Sequence, residues 1–173
     1  KEVTTKCKEK EIKIIDVNQV KKIEIDNSKI SFLNSFIPLS DDKNEHSIVT
    51  LIQYNDINIL LMGDATVNNE DILMKRYNLP KIDILKVGHH GSRTSSSKLF
   101  IKDIEPKISL ISSGKNNKYH LPNLDVIQRL KYYGSKVFDT QDNGELTINL
   151  DEEVYIVYRD NLNQKSLARE SVS

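Results

Sequence analysis

Ile82-Asp83-Ile84-Leu85-Lys86-Val87-Gly88-His89-His90-Gly91-Ser92 is the stretch whose reading decides the fold. Its first six residues have the short, bounded, β-branched character of a buried strand. The run then breaks on glycine and delivers two of the chain's four histidines side by side. Gly88 and Gly91 let the backbone turn sharply and come close to a ligand. Histidine is the commonest metal ligand and the usual acid–base group near neutral pH. His89 and His90 are therefore candidate site residues, with a merely solvated polar loop as the plain alternative.

Upstream, Ile57-Asn58-Ile59-Leu60-Leu61-Met62 repeats the buried-strand pattern and ends in Gly63-Asp64-Ala65. The segment from Asn68 to Tyr77 is helical in composition, with Ile72, Leu73 and Tyr77 as its inner face. Strand, Gly-Asp, helix, strand and Gly-His-His make a β-α-β unit. Its right-handed crossover puts both strands parallel, with their C-terminal ends at one sheet edge, where open α/β sheets bind ligands. Asp64 and His89/His90 should therefore converge. The competing role for Asp64 is an N-cap of the helix that follows it.

With 173 residues the chain is long enough for one domain with a real core. Hydrophobic content of 38%, charged content of 29% and zero net charge fit a soluble globular protein, with no global signal for nucleic acid or membrane. The single cysteine, Cys7, excludes an internal disulfide. No apolar run is long enough to cross a bilayer, and no signal peptide is expected. A first residue of Lys points to a piece of something longer. Residues 1–160 read as one domain and 161–173 as a mobile polar tail, with the first ten residues frayed.

In order, the pattern predicts strands at Glu11–Val17, Lys22–Asp26 and Lys29–Asn34. A polar loop from Pro38 to Glu45 follows, then a strand at Ser47–Tyr54 that turns through Asn55-Asp56 into the Ile57 strand. Beyond Gly91, Ser95 or Ser96 is expected to cap a helix from Lys98 to Ile104, which stops before Pro106. Ser92 is either a turn residue or a group that orients an imidazole or contacts phosphate. Lys107–Ser112 reads as a third buried strand, ending in a loop that brings His120 to the same edge. Asn123 caps a helix from Leu124 to Tyr133, and Lys136–Thr140 is a short strand. Asp142-Asn143-Gly144 then turns into Glu145–Leu150 as a hairpin, and Val154–Tyr158 is the last strand.

Asn44-x-x-Ser47, Leu61-Met62-Gly63-Asp64, Leu85 to Ser92, Ser113-Gly114-x-Asn116-x-x-Tyr119, and Asp139-Thr140 with Gly144 resemble the metallo-β-lactamase-fold domain of the ComEC family of DNA-uptake proteins. The resemblance runs from about residue 23 to residue 150. It implies an α/β (α+β) fold, a metallo-β-lactamase-like αββα sandwich, of which this chain is the second half, a mixed sheet with flanking helices. The superfamily's His-x-His-x-Asp-His motif is absent, and Tyr119-His120-Leu121-Pro122 stands where many members read Tyr-Gly-His-Pro.

By resemblance the chain is part of a metal-dependent nuclease or phosphodiesterase, with water activated between two divalent ions, Zn or Mn. Asp64 would bridge the ions, His89 and His90 would bind metal or phosphate, and His120 would be an outer ligand or a transition-state donor. Ser92, Lys115, Asn116 and Lys118 would contact substrate, with DNA the expected partner, while His46 fits no motif position. The setting implied is the outer face of a bacterial membrane beside a channel, or a secreted or cytoplasmic hydrolase. The alternatives are a non-catalytic nucleic-acid-binding or docking remnant of the fold, and a small-molecule hydrolase. Half a sandwich should leave an apolar sheet face bare, so it should associate with the missing N-terminal half or with itself. Alone, it should bind metal weakly, if at all, and be inactive.

Overall fold

A computed structural model describes residues 2–33 and 41–150, together with the backbone of 151, 154–161 and 164–171. After a terminal helix α1 (Glu2–Glu9), the chain lays down β1 (Lys22–Ile25), β2 (Ser28–Phe32), β3 (Thr50–Tyr54) and β4 (Ile57–Leu61) as an antiparallel meander. Helix α2 (Val67–Arg76) leads to β5 (Ile84–Lys86), α3 (Lys98–Ile104) to β6 (Ile108–Ile111), and α4 (Leu124–Tyr132) to β7 (Lys136–Asp139). From β4 onward each neighbour is parallel, so one seven-stranded mixed sheet runs β1 to β7 in sequence order. This is the mixed sheet with flanking helices that the sequence implies, and the β4-α2-β5 crossover is the β-α-β unit read around the histidines.

Period-two alternation divides the central strands between two faces. Leu60, Met62, Leu85, Val87 and Ile111 face the helices and pack with Leu73, Phe100, Ile101, Ile104, Val126 and Leu130 into the main core. Ile57, Ile84, Ile108 and Phe138 point the other way into a second cluster. That second face is not bare. Beyond the short helix α5 (Thr140–Asn143), strand β8 (Glu145–Asp151) lays Leu146, Ile148 and Leu150 against it.

Several local expectations change. Residues 2–9 are helical rather than frayed. Ile12 to Val17 form no strand, because their alternation meets no neighbouring ladder. The strand expected to end at Asn34 closes at Phe32, and Asn34 to Ser40, including the start of the expected Pro38 loop, lie outside the described residues. The hairpin expected between the Lys136 and Glu145 strands does not form. Helix α5 and Gly144, at φ 73, redirect the chain, and β8 pairs with β9 (Val154–Asn161) in a separate antiparallel sheet. Gln164–Ser171, read as a patternless tail, is strand β10 paired with β9.

Candidate functional site at the C-terminal edge of the parallel strands

The Gly-Asp turn after β4 is built by its glycine. Gly63 sits at φ +59 with Ser47 beneath it, and a Cβ there would lie 3.2 Å from the Ser47 Cβ. The Ser47 hydroxyl accepts the Asp64 N–H at 3.0 Å. This explains the pairing of Asn44-x-x-Ser47 with Gly63-Asp64: the loop before β3 holds the turn after β4. The N-cap of α2 is Thr66, not Asp64; the Asn69 side chain accepts the Thr66 N–H at 2.8 Å. The Asp64 carboxylate is therefore left for other work.

Its partner is His90, whose Nε2 lies 3.4 Å from Asp64 Oδ1. His89 and His90 both adopt the left-handed conformation, at φ 45 and φ 54, uncommon for residues with a side chain. Two such residues in succession turn the chain sharply, and the adjacent imidazoles stand edge to face, with ring centroids 6.5 Å apart and planes at 62°. His90 Nδ1 lies 2.7 Å from the Ser112 carbonyl oxygen. A carbonyl can only accept, so Nδ1 carries a proton and Nε2 is the ring nitrogen that faces the carboxylate. With Nε2 protonated the two form an ion pair; with Nε2 unprotonated they are two facing ligand atoms for a cation.

His89 turns elsewhere: its Nδ1 lies 3.2 Å from the Thr94 hydroxyl, which is 3.0 Å from that of Ser92. Ser92 thus acts through Thr94 on an imidazole. Thr94 is a positioning residue that the sequence reading passed over, although its place in a hydroxyl-rich run was visible. The loop itself is held from below. Buried Glu70, 1% exposed, accepts the Ser96 N–H at 2.5 Å and the Ser97 N–H at 2.8 Å. Arg129 donates to the Ser96 carbonyl oxygen at 2.6 Å, and Ser95 donates to that of Gly88 at 2.8 Å. The cap of α3 is Ser97, which accepts from the Phe100 N–H, rather than Ser95 or Ser96. Desolvation pushes the Glu70 carboxyl above its ordinary range, against the pull of the two backbone N–H groups.

Beyond β6 the chain forms the other wall of a cleft of about 460 Å³, lined by His90, Ser113, Asn117 and Tyr119 among others. Its floor is clamped to β7: the Ser113 hydroxyl donates to buried Asp139 at 2.6 Å, and the Ser113 N–H donates to the Thr140 hydroxyl at 2.9 Å. Asn123 caps α4 as expected. Lys115, Asn116 and Lys118 are exposed on the loop above. His120, between the cleft-lining Tyr119 and Leu121, is exposed, and no hydrogen bond or ion pair joins its imidazole to another described residue. His46 ends a one-turn helix, Lys43–His46, and is exposed.

Lys86 was not singled out from sequence. It stands at the end of β5 on the face opposite the main core, half-buried, with its Nζ donating to the Val87 carbonyl oxygen at 3.0 Å. Burial lowers its pKa, and the nearby Asp64 charge opposes that shift. The site thus sets one carboxylate against an imidazole and within electrostatic reach of a half-buried ammonium. A catalytic zinc site takes three protein ligands. Among the described residues no three His, Cys, Asp or Glu side chains converge closely enough to hold a metal ion. The donor set here is a pair, Asp64 and His90.

No protein-family model matches the chain. Four curated proteins do, three of them as follows. Recombination protein 2 of Haemophilus influenzae is 41% identical over 106 residues, 61% of this chain and 13% of that protein. ComE operon protein 3 of Bacillus subtilis is 35% identical over 136 residues, 79% of this chain and 17% of that protein. Competence protein ComA of Neisseria gonorrhoeae is 34% identical over 111 residues, 63% of this chain and 16% of that protein. The chain is similar to competence proteins. It spans between 13% and 17% of the length of these relatives. Among the described residues no helix is long and apolar enough to cross a membrane.

Proposed function

We propose that this chain contributes part of a phosphodiester-hydrolysing site used in DNA uptake, within a metallo-β-lactamase-like αββα sandwich of which it forms the second half. The observation that carries this reading is the Asp64–His90 pair at the C-terminal edge of β4 and β5, with Nε2 3.4 Å from the carboxylate and the ring oriented through Nδ1 by Ser112. Similarity to competence proteins supports DNA as the substrate. Two protein donors fall short of a complete metal site, so the remaining donors come from outside these residues. What the chain's own residues do is narrower: Ser112 orients His90, Ser47 holds the Asp64 turn, and Lys86 supplies positive charge beside the carboxylate.

One observation favours a second reading. The absence of a three-donor cluster among the described residues is what a non-catalytic nucleic-acid-binding or docking module would show. Calorimetric titration with Mn²⁺ separates the two, comparing the chain with Asp64→Ala and His90→Ala. Weak, saturable, one-to-one binding that either substitution removes is the expected result. Identical isotherms in all three proteins, or no binding by the unsubstituted chain, would overturn the partial metal site and leave the binding module.

A further inference from the structure

The loop after β6 carries a feature that hydrolysis alone does not use. Tyr119 is 68% exposed, yet it lines the same cleft as His90. It is not exposed for want of structure around it. The Asn117 side chain donates to the carbonyl oxygens of Gly114 at 2.9 Å and Leu121 at 2.6 Å, and it accepts the Leu121 N–H at 3.0 Å. The His120 N–H adds a bond to the Asn117 carbonyl at 3.0 Å. Asn116 and His120 flank the turn at φ 53. The loop is thus fixed on both sides of an aromatic ring that it holds out at the cleft wall, so little further ordering is needed on binding.

The chemistry around the ring is that of a stacking platform. Lys118 Nζ sits 4.9 Å from the ring centroid, a cation–π arrangement that occupies one face. Lys115 is exposed on the same loop. Basic groups beside an exposed aromatic are how proteins hold unpaired bases regardless of sequence, the cations tracking phosphates and the ring taking a base. Two polar side chains that line the cleft are engaged within the protein: Ser113 donates to Asp139 and Asn117 ties the loop. The exposed ring face favours stacking over base-edge readout by those two. A duplex offers its grooves only base edges, its π-faces being covered by neighbouring pairs.

We propose that Tyr119 stacks one unpaired base of a nucleic acid whose backbone passes the Asp64–His90 edge, so that the cleft takes single strands in preference to duplex and with little regard to sequence. This rests on the nucleic-acid reading above and names the strandedness of its substrate. The test is fluorescence anisotropy with three labelled probes of equal length: oligo-dT, an abasic oligomer with the same phosphates, and a duplex. Tyr119→Ala is expected to weaken oligo-dT binding by on the order of 10-fold, the range for losing one stacked base. It should leave the abasic oligomer unchanged, while Tyr119→Phe binds like the parent. Unchanged oligo-dT binding by Tyr119→Ala, equal loss on the abasic probe, or tighter binding of duplex than of oligo-dT by the parent would each overturn the platform. Binding of no probe by the parent protein would overturn the nucleic-acid reading itself.

Discussion

Gly91→Ala is expected to cost about 2–4 kcal/mol of stability and to unseat the His90–Asp64 pair. Gly91 has φ +76, which disfavours any side chain, and a Cβ built there would stand 2.7 Å from the Pro122 Cβ. The strained φ accounts for about 1 kcal/mol and the overlap for a further 1–3 kcal/mol. The Gly91 carbonyl also accepts the N–H of Asn123, the cap of α4, at 2.9 Å. A shift at Gly91 therefore spreads to the helix start on one side and to His90 on the other. Gly134→Ala is the control, because Gly134 has φ +84 with nothing within 4 Å of the added Cβ. Urea midpoints of both variants should differ by the overlap alone. A Gly91→Ala protein no less stable than Gly134→Ala would show that Pro122 gives way freely.

Glu70→Gln is expected to destabilise by about 1–3 kcal/mol, the cost of leaving a buried donor unsatisfied. Each Glu70 oxygen accepts one backbone N–H, from Ser96 and Ser97. An amide offers one acceptor oxygen and sets its NH₂ against the other N–H. The deficit has a pH signature. Burial raises the Glu70 pKa in the folded protein, so this group's stabilising contribution is fully present below the ordinary carboxylate range. It fades as pH rises through the folded value. Glutamine has no such slope, so the gap between parent and variant should be wider near pH 4 than near pH 7. Paired urea titrations at the two pH values measure it, with other carboxylates cancelling in the difference. A gap that grows with pH would contradict the assigned burial effect.

The β-α-β unit was legible because it depends on local pattern: apolar strands stopped by Gly63 and Gly88, with a helix between them long enough only for a crossover. That put Asp64 and the histidines at one edge. Which histidine meets Asp64 was not legible, because it depends on both adopting a left-handed backbone, which their side chains do not announce. The bracing by Glu70 and Arg129 was equally hidden, since it links helices far apart in sequence to one serine loop. The Ile12–Val17 alternation misled because alternation makes a strand only where a neighbour offers a ladder. The turn at Asp142-Asn143-Gly144 misled in the opposite way, since its residues suit a hairpin and a short helix alike. The imidazole of His120, which lies between the cleft-lining Tyr119 and Leu121, meets no partner among the described residues.

The two left-handed histidines set the interests of thermal robustness and of chemistry against each other. Each position would be more comfortable with glycine or asparagine, by about 1 kcal/mol. A library screened for heat resistance alone should therefore drift away from histidine at both places, most readily at His89, whose ring is hydrogen-bonded to the Thr94 hydroxyl and, among the described residues, to no charged group. Variants that keep both imidazoles under such a screen would be retaining them against the local preference of the backbone. Retention there reports on ligand handling rather than on folding.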